Sequence, residues 1–352
     1  MEELGCSVLF DMAYETRHTE RAGVIRFFVF LVLLAAGWAC VRTAGDAAHV
    51  RLAVGGQNQM VYLPTTLAQE LGFYKEEGLD IELQDHAGGS KALQALIGGS
   101  ADVVSGFYDH TIQMAAEGRS LVAFVNMIRF PGLVLVTAPQ SQVTKVEDLK
   151  GRVAGVTSAG SSSQMLLTYL LQRHGVPPDA VSITAIGSAA TAIAAVEHGK
   201  VDAAMLADPA LTILVKRTPG TRILADLRTA AGVKEAVDAD SYPASVLYAQ
   251  HEWIRSHAET TRRLASAIVK TLRWMHAHTP QEVADRTPKS FKGEDEALYV
   301  DAVTSSMAMF SSDGAMDPAG AAAVQKLLAQ SMDKVRNAQI DLSKTYTNEW
   351  VR

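Results

Sequence analysis

Apolar and polar positions in this 352-residue chain follow one repeating pattern from His49 onward: a short β-branched or alternating run, a loop, then a helical run. VRLAVGG (Val50–Gly56) reads as a strand, and PTTLAQELGFYKEEG (Pro64–Gly78) as a helix with proline in its first turn and glycine after its end. LDIELQ (Leu79–Gln84) alternates as a half-buried strand. SKALQALIGGSADVVSGFYD (Ser90–Asp109) adds a helix and a strand, and SLVAFVNM and GLVLVTAP give two more strands around Pro131. Beyond Lys150 the pattern restarts with GRVAGVT, the helix SSQMLLTYLLQRHG, VSITAIG and TRILADL. After ASVLYAQ, near Tyr248, the chain turns mostly helical, with TTRRLASAIVKTLRWMHAH the most regular segment. This alternation predicts an α/β architecture with largely parallel sheets.

One corner occurs twice. The stretch Ser90–Asp109 is echoed by TAIAAVEHGKVDAAMLAD (Thr191–Asp208), so that Gly99 answers to Gly199 and Asp102 to Asp202. In a parallel sheet ligands gather outside the carboxyl ends of the strands, whereas these aspartates follow a helix and precede a strand. Asp102 and Asp202 are therefore expected to be structural, accepting local backbone N–H bonds. The opposite ends, with Phe107, Tyr108 and Asp109 in one copy and Ala207 and Asp208 in the other, would meet a ligand if two similar lobes faced one cleft.

The first 40 residues are of another kind. Arg17, Arg21 and Arg26 precede FFVFLVLLAAGWA (Phe27–Ala39), an apolar run short for a membrane span and placed where an export signal belongs. Residues 1–40 are expected to direct export to the periplasm or cell surface, with an uncleaved anchor helix as the alternative. Cleavage leaves at most Cys40 of the chain's 2 cysteines, which excludes an intramolecular disulfide and a cysteine metal site from the mature protein. AAGWAC resembles a bacterial lipoprotein box, although Gly37 stands where leucine is usual; plain cleavage after Ala39 competes with a lipid anchor at Cys40.

Charge and size narrow the function further. The net charge of −6 becomes −4 without residues 1–40, which carry 3 of the basic and 5 of the acidic residues, so no basic face invites nucleic acid. With 48% hydrophobic residues the chain can bury the cores of two domains.

The segments LAQELGFYKEEGLDIEL, GGSKALQALIGGSADVV, LKGRVAGV and GKVDAAMLADP resemble the substrate-binding proteins of ABC importers for nitrate, sulfonate, taurine and related solutes. That family shares a domain with thiamine-pyrimidine precursor proteins. The resemblance runs from about Val50 to Met275 and weakens through the C-terminal helices. It implies a type II periplasmic-binding fold, with two α/β lobes joined by a double crossover and closing on a small solute. Lobe 1 would comprise residues 48–130 with 249–345, and lobe 2 residues 131–248. It also implies a partner, the permease of an ABC importer in the inner membrane, and no cofactor. Two other readings stay open: an exported ligand-sensing subunit, and a protein related to the thiamine-pyrimidine precursor branch.

Candidate ligand contacts follow residue by residue. GGQNQMVYLP offers Gln57, Asn58 and Tyr62 as hydrogen-bonding and stacking groups; in the family this loop lines the cleft, and a plain surface loop is the alternative. Gly89 and Ser90 begin a helix, where free N–H groups favour an anion and where Ser90 also suits simple capping. TSAGSSSQ brings Ser158, Gly160, Ser161 and Ser162 to another helix start, a candidate nest of N–H groups. Of Phe107 and Tyr108, one is expected in the core and the other against the ligand. Asp109 and Asp208 either balance an amino or ring-nitrogen group on the solute or cap the segments that follow them.

Catalysis finds less support in these residues. GSSS is not a nucleophile elbow with a marked histidine partner, and the 10 histidines form neither H-E-x-x-H nor a metal-like cluster. The precursor-synthase branch carries a cysteine-rich motif that the mature chain lacks. The expected protein is a binder with no catalytic residues, metal or cofactor.

Overall fold

A computed structural model describes residues 47–293 and 295–351, so the expected export segment 1–40 and Cys40 lie outside the described residues. Two five-stranded sheets organise the body that begins at Ala48. The first has the order β2-β1-β3-β10-β4, built from Ala48–Val54 (β1), Leu79–Asp85 (β2), Val103–Phe107 (β3), Leu121–Asn126 (β4) and Ser245–Gln250 (β10). The second has the order β7-β6-β8-β5-β9, built from Leu133–Thr137 (β5), Val153–Val156 (β6), Ser182–Ala185 (β7), Ala203–Ala207 (β8) and Arg222–Asp226 (β9).

The two sheets share one plan. In each, three parallel strands are followed by one antiparallel strand that enters from the other half of the molecule: β10 pairs antiparallel with β3 and β4, and β5 with β8 and β9. The chain crosses to the second sheet between Asn126 and Leu133 and returns between Asp226 and Ser245. Because β10 belongs to the first sheet, the return falls ahead of the boundary at 248 expected from the sequence. β3, β4, β5 and β8 are buried along their whole length, as expected for strands covered on both faces. The edge strands β2 and β7 keep exposed positions.

The repeated corner is one structural device used in both sheets. Gly99 and Gly199 have φ of 78° and 61°, left-handed values that glycine adopts without a Cβ penalty, and they end their helices there. Asp102 then donates its N–H to the Arg51 carbonyl at 2.9 Å and accepts the Arg51 N–H on Oδ2 at 2.9 Å. Asp202 repeats this with Val153, at 2.8 and 3.0 Å. The bonded partners lie on the neighbouring strand and are not local in sequence, which corrects that detail of the sequence reading. Arg51 also grips Asp102 with its guanidinium at 2.7 Å. Burial opposes ionisation of Asp102, yet the Arg51 hydrogen bonds outweigh it and hold the carboxyl below its usual range.

Other differences are small. The helix expected over Pro64–Gly78 breaks into Leu63–Glu70 and Phe73–Glu76, because Gly72 takes a left-handed φ of 78° between them. The regular C-terminal segment forms the helix Ala258–Ala277, whose buried face includes Leu264, Ile268, Leu272 and Met275 at helical spacing. The helix Pro318–Ser331 packs on both Asp109–Ala116 and Ser162–Arg173, tying the two halves together from the side. Among the described residues no helix is long and apolar enough to cross a membrane.

Candidate functional site

The carboxyl ends of β1 and β3 face those of β6 and β8 across the junction between the sheets. A cavity of about 20 Å³ lies there, lined by Gln59, Tyr62, Gly89 and Phe107 from the first half and by Thr157 and Ser161–Ser163 from the second. A neighbouring cavity of about 10 Å³ shares Gln59 and Thr157 and extends past Asn58, Ser188 and Asp208. Space of this size holds about one water molecule, so the lobes must part, or the walls move, to admit anything larger.

Two helix N-termini converge on this junction from opposite sides. The helix Gly89–Ile97 starts at the end of the loop after β2, and the helix Ser162–Arg173 starts after the loop that follows β6. Among the described residues the N–H groups of Gly89, Ser90, Ser162 and Ser163 have no protein acceptor, as the first turn of a helix leaves them. Glycines permit the close packing here: a Cβ on Gly55 would lie 2.6 Å from the Gly89 Cα within the first half, and a Cβ on Gly88 would lie 2.4 Å from Ser158 Oγ of the second. Hydroxyl bonds stitch the two sides, Ser90 Oγ to Ser158 Oγ at 2.8 Å and Ser162 Oγ to Asp109 Oδ1 at 2.8 Å, and the Met60 N–H donates to the Asp208 carbonyl at 2.8 Å.

The serine loop is more committed than its sequence suggests. Ser161 Oγ donates to the Ser158 carbonyl at 2.7 Å and lies 2.8 Å from Ser163 Oγ, and the Gly160 N–H donates to Gln164 Oε1 at 2.7 Å. Gly160 is exposed and outside both cavities. The free donors of the loop are therefore backbone N–H groups, while its hydroxyls are engaged with one another, with Ser90 and with Asp109.

The two aromatic residues at the end of β3 point to different places. Phe107 lines the cavity and meets Tyr62 edge-on at 6.2 Å. Tyr108 points into the core, where its hydroxyl lies 2.6 Å from Thr345 Oγ1. Gln57 is held by its N–H on Asp85 Oδ1 at 2.7 Å and by its amide on Thr66 Oγ1 at 3.2 Å, at the rim and outside both cavities.

The two aspartates differ sharply. Asp208 Oδ1 accepts both the N–H and the hydroxyl of Thr212, at 3.0 and 2.7 Å, and Oδ2 pairs with Arg228 at 3.1 Å. It caps the first turn of the following helix, and its second oxygen is paired with a guanidinium that it shares with Asp226. Arg228 also grips Asp226 at 2.6 Å, and Asp226 with Asp208 raises its pKa further. Asp109 is only 1% exposed, and among the described residues it has one hydrogen-bond donor, Ser162, and no partner for its Oδ2.

Gln59, His110, Thr157, Ser163 and Arg228 were not singled out from sequence. Gln59 and Ser163 sit within loops already read as ligand loops, and Arg228 is a lone cation just past the carboxyl end of β9. For buried His110, inside an ordinary helical pattern, no sequence signal exists.

The family described as NMT1/THI5 like matches residues 59–283, and the chain belongs to it. A solved structure from Bordetella bronchiseptica RB50 is 37% identical with a TM-score of 0.83, covering 87% of this chain and 96% of that one. The alkanesulfonate-binding protein SsuA from Xanthomonas axonopodis pv. citri, solved bound to MOPS, is 16% identical with a TM-score of 0.67, over 86% and 99% of the two chains. YtlA of Bacillus subtilis, which is named as a candidate binding protein, is 23% identical over 68% of this chain and 70% of its own. The fold is the periplasmic-binding-protein fold, with two α/β lobes joined by a double crossover.

Proposed function

We propose that this protein captures a small anionic or zwitterionic solute, such as a sulfonate, taurine or nitrate, between its lobes outside the cytoplasm and delivers it to an ABC importer. One observation carries the reading: helix N-termini from opposite lobes meet at one cavity, lined by Gly89, Ser162 and Ser163, whose N–H groups have no acceptor among the described residues, a donor set and dipole arrangement suited to an anion. Tyr62 and Phe107 offer an apolar wall for the rest of the solute, and Gln59 and Asn58 offer adaptable hydrogen bonds. Family membership and the fold shared with a sulfonate-binding protein support the same reading.

Asp208 contributes little to an amine preference on this account, because both of its oxygens already have protein donors, Thr212 and Arg228. The solute class therefore rests on the anion end of the site. Titration calorimetry and thermal unfolding with ethanesulfonate, taurine and nitrate test the proposal. Saturable binding with stabilisation by at least one of them is expected; no response to any at millimolar concentration would contradict it. A permease and ATPase encoded beside this chain would support delivery to an importer, and a receptor kinase there would favour the sensing role.

A further inference from the structure

Building on the solute-binding reading, we propose that Asp109 serves the cleft as a neutral carboxylic acid, donating a hydrogen bond to an acceptor oxygen of the solute. The argument begins with burial. Asp109 is 1% exposed, and its carboxyl receives one hydrogen bond, from Ser162 Oγ across the lobe junction at 2.8 Å. The His110 N–H approaches without completing a bond, and Oδ2 is unpartnered. A buried carboxylate with so few donors and no cation is strongly disfavoured against its protonated form.

The titratable groups that face Asp109 offer no counter-charge. They are Tyr62, Tyr242, Tyr248 and His110. Burial raises the pKa of all three tyrosines, and it lowers His110 to about 4, so that imidazole is neutral. Its Nε2 lies 4.0 Å from Asp109 Oδ1 and has no partner either, while Nδ1 shares a hydrogen bond with the Tyr248 hydroxyl at 3.1 Å. Among the described residues no lysine or arginine pairs with Asp109. Burial accordingly drives the carboxyl up to about 7, with the Ser162 bond and the His110 N–H offsetting only part.

The aspartates just past the two strand ends thus differ: Asp208 pairs with a guanidinium that it shares with Asp226, whereas Asp109 has no cation among the described residues and would carry a proton. Once protonated on Oδ2, Asp109 is a donor whose proton has no hydrogen-bond partner among the described residues. Asp109 does not itself line the cavity but lies directly behind Ser162, which does. Ser162 lines the cavity and touches Asp109, and a Cβ on Gly89 would come within 3.2 Å of His110 Cε1 and 3.7 Å of the Tyr62 hydroxyl. A solute oxygen between the helix N-termini would meet an acid there in place of a repelling carboxylate.

Two measurements on the full-length protein separate this inference from the functional reading. The first needs no solute: the Asp109 carboxyl carbon is followed by NMR through a pH titration, with Asp109→Asn used for assignment. Titration near 7 supports the neutral acid, and titration in the ordinary carboxylate range overturns it. Thermal unfolding gives the same answer if the variant cannot be assigned. A folded pKa above the unfolded one means that wild-type stability falls as pH rises from about 4 to about 7, so Asp109→Asn should gain several degrees on wild type across that window. Parallel profiles overturn the proposal.

The second measurement uses ethanesulfonate as the probe. Its affinity should fall about tenfold per pH unit above about 7 in wild type and stay level in Asp109→Asn. Binding equally tight on both sides of that pH in wild type overturns the donor role. Absence of ethanesulfonate binding at every pH counts against the choice of solute, while the carboxyl titration still decides whether Asp109 is the acid.

Discussion

Arg228 Nη1 donates to Asp208 Oδ2 at 3.1 Å, while Asp208 Oδ1 caps Thr212, so the carboxylate at the end of β8 is fully engaged before any solute arrives. Asp208→Asn should therefore lower stability by about 1–3 kcal/mol, because it weakens a buried charge-assisted pair and a cap. Any change in affinity should be equal for taurine, ethanesulfonate and nitrate. Calorimetry with the three solutes checks this, and a selective loss of taurine would restore Asp208 as an amine receptor.

The twin corner predicts scaffold variants without a binding phenotype. Asp102→Asn and Asp202→Asn each weaken the bond that pins a helix-to-strand turn to the neighbouring strand, at a cost of about 1 kcal/mol, with affinity unchanged. The Asp102 contribution should be full above the ordinary carboxylate range and disappear on acidification through its lowered pKa. Denaturant unfolding across pH, paired with calorimetry, measures both.

Backbone donors, and not hydroxyls, should hold the anion. Ser162 is the first residue of its helix, where proline is tolerated and removes only an N–H that makes no intrahelical bond; Ser161 before it is already extended, at φ −82° and ψ 163°. Ser162→Ala and Ser162→Pro both lose the bond to Asp109, so the difference between them isolates the N–H. Ser162→Pro should bind the anion at least tenfold more weakly than Ser162→Ala, as loss of a hydrogen bond to a charge costs about 1.5–3 kcal/mol. Equal affinities would move the anion elsewhere in the cleft.

Much of the fold was legible in the sequence because its signals are local. β-branched runs, glycine stops and the repetition of Gly99–Asp102 in Gly199–Asp202 predict alternating strands and helices and two like lobes. The helix starts that line the cavity were legible for the same reason, since Gly89 and the run Ser161–Ser163 stand at helix N-termini. What stayed hidden depends on distant partners. Whether Asp208 is free or paired turns on Arg228, which follows a different strand, and Asp109 owes its isolation to Tyr62, Tyr242 and Tyr248, none adjacent in sequence. Phe107 and Tyr108 could be divided only once the strand had a definite face toward the cavity.

Closure of two lobes on one solute is the central claim, and small-angle X-ray scattering with and without solute tests it most directly. The small cavity between the lobes and the cross-lobe bonds Ser90–Ser158 and Ser162–Asp109 describe a shut cleft, so the solute-free protein should sample a more open form. Adding a solute to a hundredfold excess over its dissociation constant should stabilise the fold by ~2.7 kcal/mol and reduce the radius of gyration in the same samples. Thermal stabilisation with no change in dimensions would contradict closure and leave a rigid, preformed site in its place.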